Sequence, residues 1–157
     1  MDRNFVPSIK EDTKMDKVTI VSGSQSGNTE SMANAVAEGV TEAGKEAEVV
    51  EVSSASLDDL KAAKGFALGC PAMGCEVLEE SEMEPFVCDV EGFAAGKTIA
   101  LFGSYGWGDG QWMRDWVDRM SAAGATVVNG EGVICNEAPE DDTLETCKDL
   151  GKQLAAL

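Results

Sequence analysis

Three short stretches hold the residues whose types and spacing could do chemistry. In the first, Ser22-Gly23-Ser24-Gln25-Ser26-Gly27-Asn28-Thr29, small hydroxyl, amide and glycine residues follow one another with no Lys or Arg among them. Such a turn delivers the chain into a helix N-terminus. Outward backbone N–H groups there, joined by the hydroxyls of Ser24, Ser26 and Thr29, make a neutral cradle for a phosphate. A nucleoside-triphosphate loop would need Gly-Lys-Ser/Thr, which is absent, and the glycine spacing is not that of a GxGxxG dinucleotide turn. Taken alone, the stretch also reads as a Ser-rich helix cap.

The second stretch, Gly69-Cys70-Pro71-Ala72-Met73-Gly74-Cys75-Glu76, sets a Met between Pro and Gly. Met73 has no helical stripe to join there, and a thioether can lie flat against an aromatic ring. The third, Gly103-Ser104-Tyr105-Gly106-Trp107-Gly108-Asp109-Gly110, places two aromatic residues among four glycines. Closely spaced glycines let backbone approach a planar ligand. Trp107 on one side and Met73 on the other would sandwich an isoalloxazine, and with the phosphate cradle the three stretches favour a flavin over other ligands. Trp112, Trp116 and Met120 recur at helical spacing instead and read as core packing.

Other chemistries lack their residues. There is no histidine, and the five cysteines (Cys70, Cys75, Cys88, Cys135, Cys147) include no CxxC pair, so no metal site and no catalytic residue is expected. Cys70 and Cys75 are at most a fortuitous thiol pair. Twelve basic residues against 29 acidic ones give a net charge of -17, which disfavours nucleic acid and anionic membrane and favours proteins presenting Lys and Arg.

The elements that position these loops follow from apolar periodicity. Strands are expected at Val18–Val21, Ala47–Val52, Phe66–Leu68 and Thr98–Phe102, with short pieces at Ala125–Val128 and Gly132–Ile134. Helices are expected at Thr29–Ala43 (stopped by Gly44), Leu57–Ala63 (capped by Ser56 or Ser54), Glu79–Val87, Trp112–Ala123 and Thr143–Leu154. Strand and helix alternate five times, which calls for an α/β doubly wound sandwich: a parallel sheet between two helical layers. Ligands bind such a sheet beyond the carboxyl ends of its strands, and all three loops open there. Residues 1–15 read as a polar, flexible lead-in and 16–157 as one FMN-binding domain. With Asp2, Glu11 and Asp12 and no apolar core, the N-terminal segment has neither signal-peptide nor transmembrane character, so a cytoplasmic location is expected.

Ser-Gln-Ser-Gly-Asn-Thr-Glu (24–30), Gly-Cys-Pro-Ala-Met-Gly (69–74) and Phe-Gly-Ser-Tyr-Gly-Trp-Gly-Asp-Gly (102–110) together resemble the flavodoxin family, specifically its short-chain, clostridial-type members. The similarity runs from Lys17 to Leu157. It implies a five-stranded parallel sheet in the order 2-1-3-4-5 with one FMN at its carboxyl edge, and no extra loop of the kind that interrupts the last strand in long-chain members.

By the same resemblance, Ser24, Gln25, Ser26, Gly27, Asn28 and Thr29 would hold the phosphate. Met73 would cover the ring face turned toward the protein, Glu76 would accept from flavin N3–H, and Ala72, Gly74 and Cys75 would also contact the cofactor. Trp107 would cover the opposite, outer face, the backbone of Tyr105, Gly106, Trp107 and Gly108 would read the pyrimidine edge, and Ser104 and Asp109 would also contact the cofactor. The Gly74–Cys75 peptide would turn over on reduction and offer its carbonyl to the N5–H of the neutral semiquinone. Two positions depart from the family pattern. Ser26 stands where Thr is usual, which keeps the hydroxyl, and Cys75 stands where Asp, Gly, Asn or Ser is frequent. A Cβ at position 75 disfavours positive φ and so hinders the turn.

The function implied is a low-potential one-electron carrier using the semiquinone/hydroquinone couple, with a small FMN-dependent reductase of the same fold as the alternative. Acidity works in the same direction: one like charge about 10 Å from the reduced ring, at an effective dielectric of about 20, costs roughly 1.7 kcal/mol, about 70 mV for one electron. Asp109 and Glu76 are candidate contributors. The partners expected are transient redox proteins with basic docking surfaces, meeting an acidic rim that includes Glu79, Glu80, Glu82, Glu84, Asp141 and Asp142, and the carrier itself is expected to be a monomer.

Overall fold

Each strand sends alternate side chains to opposite faces of the sheet, and both faces here meet helices, which is why the central strands are apolar without interruption. The computed structural model describes residues 17–23, 27–70, 83–105, 110–136 and 139–157. The strands are β1 (Lys17–Ser22), β2 (Glu46–Glu51), β3 (Gly65–Gly69), β4 (Thr98–Tyr105), β5 (Thr126–Val127) and β6 (Val133–Asn136). All pair in parallel, in the order β2-β1-β3-β4-β5, with β6 also on β4. The expected order 2-1-3-4-5 is therefore observed. The helices are α1 (Gly27–Glu42), α2 (Leu57–Ala62), α3 (Met83–Glu91), α4 (Gln111–Ala122) and α5 (Asp141–Ala155).

The fifth strand position is filled in two pieces. Val127 pairs with Ile99 and Val133 with Phe102, so β4 advances three residues while the outer chain advances six. The surplus is taken up in a turn at Val128–Gly130, where Asn129 and Gly130 adopt φ of 63° and 74°. Only residues tolerant of the left-handed region fit such a turn. The pieces lie at Thr126–Val127 and Val133–Asn136 rather than at the expected 125–128 and 132–134.

Helix bounds move for local reasons. The third helix runs from Met83 to Glu91, past the expected end at Val87, because Val90 continues the buried face begun by Met83, Phe86 and Val87. The first part of that expectation, 79–82, lies outside the described residues. Asp141 and Asp142 start α5 two residues early, acidic groups at the positive end of the helix dipole. Ser56 is the cap of α2, accepting from the Asp59 N–H at 3.3 Å. Gly44, at φ 91°, ends the first helical segment as expected.

Two cores result. On one face Val18, Ile20, Ala67, Ala100 and Phe102 meet Met32, Val36 and Val40 of α1 and Leu150 and Leu154 of α5. On the other, Val21, Phe66, Leu68, Ile99 and Leu101 meet Leu60, Phe86, Val87, Val90, Trp112, Trp116 and Met120. Trp112 and Trp116 are each 1% exposed, as their helical spacing implies. Burying such side chains contributes about 1.5–3 kcal/mol each, which makes these two layers the main favourable term.

Helices α1 and α5 approach until their backbones touch. A Cβ on Gly39 would overlap the Lys148 carbonyl, and one on Gly151 would overlap the Val36 carbonyl. Lys148 then ties the pair at its surface, with Glu38 at 3.1 Å and Glu42 at 4.0 Å on α1. Across the sheet, Arg119 of α4 holds Glu84 at 2.9 Å and Glu91 at 3.2 Å on α3, and its hydrogen bond keeps the Glu84 carboxyl below the usual range. Among the described residues, no helix is long and apolar enough to cross a membrane.

Replacing Gly39 or Gly151 by Ala sets two effects against each other. Alanine gains about 1 kcal/mol of helix propensity, but overpacking of a touching backbone costs about 1–3 kcal/mol. The overlap is with main chain, which yields least, so each variant should lose about 1–2 kcal/mol, seen as a lower urea midpoint with the slope unchanged.

Candidate functional site

The carboxyl ends of β1, β3 and β4 lie side by side and are tied across. The Gly23 N–H donates to the Gly69 carbonyl at 3.0 Å, and the Cys70 N–H to the Phe102 carbonyl at 3.1 Å. These bonds are the last rungs of the two parallel ladders. They bring together the described ends of all three chemistry-bearing loops: Gly23 before 24–26, Cys70 before 71–82, and Tyr105 before 106–109.

One rung further, regular parallel pairing would join the Ser104 N–H to the Cys70 carbonyl. That bond is replaced. The Ser104 N–H donates to Thr29 Oγ1 at 3.4 Å, and the two hydroxyls lie 3.1 Å apart, fully enclosed. The Cys70 carbonyl accepts from the Trp112 indole N–H at 3.2 Å. A Cβ at Gly103 would overlap that carbonyl, so glycine is what lets it lie across β4. A Cβ at Gly69 would likewise strike the Phe102 ring.

The expected site residues divide accordingly. Gly27, Asn28 and Thr29 form the first turn of α1. Ser104 ends buried against Thr29, and Tyr105 is half-buried, its ring 5.6 Å from that of Trp112 at 52°. Ser24, Gln25, Ser26, Ala72, Met73, Gly74, Cys75, Glu76, Gly106, Trp107, Gly108 and Asp109 lie outside the described residues. Reading the sequence assigned the Thr29 hydroxyl to phosphate; the structure engages it with Ser104, so it also joins α1 to β4. The sequence reading missed Cys70, Gly103 and Trp112 as a unit. A usable signal existed, since a buried indole N–H seeks an acceptor.

The electrostatics are those of neutral donors. Stretches 22–29, 69–76 and 102–112 contain no Lys or Arg. The positive end of the 16-residue helix α1 is aimed at the edge where the three loops meet. That donor set suits a phosphate monoester. Behind the site, burial and the nearby Cys135 push the Cys147 thiol up to about 12, so it stays neutral and unreactive.

The comparisons with known proteins agree. The Flavodoxin family model matches residues 20–151. This chain belongs to the flavodoxin family. Among its relatives, the flavodoxin of Clostridium beijerinckii is 46% identical over 87% of this chain and 97% of its own length. That of Megasphaera elsdenii is 45% identical over 88% and 98%. The solution structure of two-electron reduced Megasphaera elsdenii flavodoxin superposes with a TM-score of 0.81, covering 89% of this chain and 99% of that one. As a flavodoxin, the chain is an FMN-binding one-electron carrier and not an enzyme. The described edge suits the phosphate of that cofactor, since the first turn of α1 presents backbone N–H groups there and holds no Lys or Arg.

Thr29→Val removes the acceptor of the Ser104 N–H at nearly constant shape. Leaving that buried donor unpaired should cost about 1–3 kcal/mol. Ser104→Ala keeps the N–H bond and should cost less, an order that denaturant midpoints of the two apo-proteins will show.

Proposed function

We propose that this flavodoxin carries electrons singly at low potential between redox proteins, with FMN held at the carboxyl edge of β1, β3 and β4. The observation that carries the reading is the meeting of Gly23, Cys70 and Tyr105 beside the N-terminus of α1. Ser24, Gln25, Ser26, Gly27, Asn28 and Thr29 wrap the phosphate. Met73 covers one face of the ring and Trp107 the other, and Ala72 and Ser104 shape the floor between them. Glu76 accepts from N3–H, and the backbone of 105–108 reads the rest of the pyrimidine edge.

Bound FMN supplies the electron-accepting ring. The chain decides how many electrons pass together. The Gly74–Cys75 peptide would hold a proton at N5 through the Gly74 carbonyl. With no Lys or Arg in the three stretches, and Glu76 and Asp109 among their residues, these stretches would offer no positive charge to offset added negative charge on the ring. Met73 and Trp107 exclude water and so strengthen that penalty.

Charge also shapes the encounter with partners. A net charge of -17 steers basic docking surfaces toward the chain and speeds association more than it tightens it. Asp141 and Asp142 are exposed at the start of α5 and belong to such a rim, together with Glu79, Glu80 and Glu82. Glu84 is already tied to Arg119, so its part is smaller. Val49 and Leu157 are the exposed large apolar residues described, which supports a monomer. Cys88 and Cys147 are thiols, which suits a reducing, cytoplasmic setting.

An anaerobic potentiometric titration of the FMN-loaded protein tests the reading. Two resolved one-electron steps are expected, the second well below the first. A single two-electron wave would contradict it.

A further inference from the structure

The geometry points to Trp112 as a positioning residue for the loop at 71–76, setting through one hydrogen bond how that loop meets the flavin. The inference rests on the proposed placement of Met73, Gly74 and Cys75 against the ring. Its basis is the way the β3–β4 ladder ends. The Cys70 N–H is held by Phe102, and its carbonyl, which a further rung would have given to Ser104, is held by the indole N–H of Trp112 at 3.2 Å. Both donor and acceptor are buried, Cys70 being 0% and Trp112 1% exposed. The peptide that leads into the loop is therefore fixed at both of its Cys70 polar groups, by two different elements.

Three further contacts make Trp112 the junction. It is the second residue of α4, reached directly from the 106–110 stretch. Its ring lies against Tyr105, where that stretch leaves β4. Its Cζ2 also bounds the space at Gly103, where a Cβ would stand 3.1 Å from it and would overlap the Cys70 carbonyl. One side chain thus touches the starting points of both ring-bearing loops. Trp116, one turn on and equally buried, has no acceptor for its own indole N–H among the described residues, so the bond is particular to Trp112 rather than general to the helix.

The test compares Trp112→Phe with Trp116→Phe in the full chain. Phenylalanine keeps a buried ring and removes the N–H. Three properties are measured: FMN affinity, the spacing of the two one-electron potentials, and amide hydrogen exchange of residues 71–76 in the apo-protein. For Trp112→Phe the affinity should fall about three- to tenfold, the size of one lost hydrogen bond. The spacing of the potentials should narrow and exchange at 71–76 should quicken. Trp116→Phe should leave all three as in the parent chain. Equal exchange, affinity and spacing in Trp112→Phe and the parent would overturn the inference.

If Trp112→Phe does not fold, Gly103→Ala displaces the same carbonyl with the indole intact. Unchanged exchange at 71–76 in that variant would equally overturn it. Failure of the parent chain to bind FMN would sink the functional reading instead, and the apo-protein exchange would still judge this one.

Discussion

A parallel ladder can hold two loops at one level only as far as its rungs extend, and at the carboxyl edge of this sheet the rungs stop one short. Beyond Cys70 and Phe102, the next backbone donor and acceptor are taken by side chains: Ser104 N–H by Thr29, Cys70 carbonyl by Trp112. The strands are released from each other there without leaving buried polar groups unpaired, which would cost about 1–3 kcal/mol each. That exchange opens the sheet edge to a ligand. It also ties the opening to α1 on one face and α4 on the other, so the strand ends from which the loops depart are held by both cores.

The position of α1 matters as much as its N-terminus. Its dipole and first-turn N–H groups are useful only if the helix end stays level with the strand ends, and two things hold it there. Thr29 fixes the first turn to β4, and the glycine contact with α5 fixes the body of the helix at Gly39 and Gly151. A site with no Lys or Arg has no strong point charge to compensate for misplacement. Neutral donors work by direction and proximity, so the packing behind them carries the precision that a cation would make less necessary.

Much of this was legible in the sequence. Apolar runs at Val18–Val21 and Thr98–Phe102 marked strands covered on both faces, and the helical stripe of Trp112, Trp116 and Met120 marked a core helix. Residue type and order alone picked out the stretches 22–29, 69–76 and 103–110, whose described ends meet at one edge of the sheet. What escaped were features set by tertiary contact. Nothing local shows that Thr29 and Ser104, 75 residues apart, would pair. The surplus at Val128–Gly130 is visible only against the register of β4. Trp112 was read as packing, which it is, but its polar edge has a second role that periodicity does not carry.

The central claim is that one edge of the sheet, and not a surface cleft elsewhere, is where FMN sits. Titrating the apo-protein with FMN while recording backbone amide resonances tests it directly. The account predicts one FMN per chain, with perturbations concentrated at residues 23–29, 69–76 and 103–112 and none at Glu46, Gly65 or Thr98 on the opposite edge. Riboflavin, lacking the phosphate, should leave residues 24–29 largely unmoved. Perturbations centred on the opposite edge, or none at all, would contradict it.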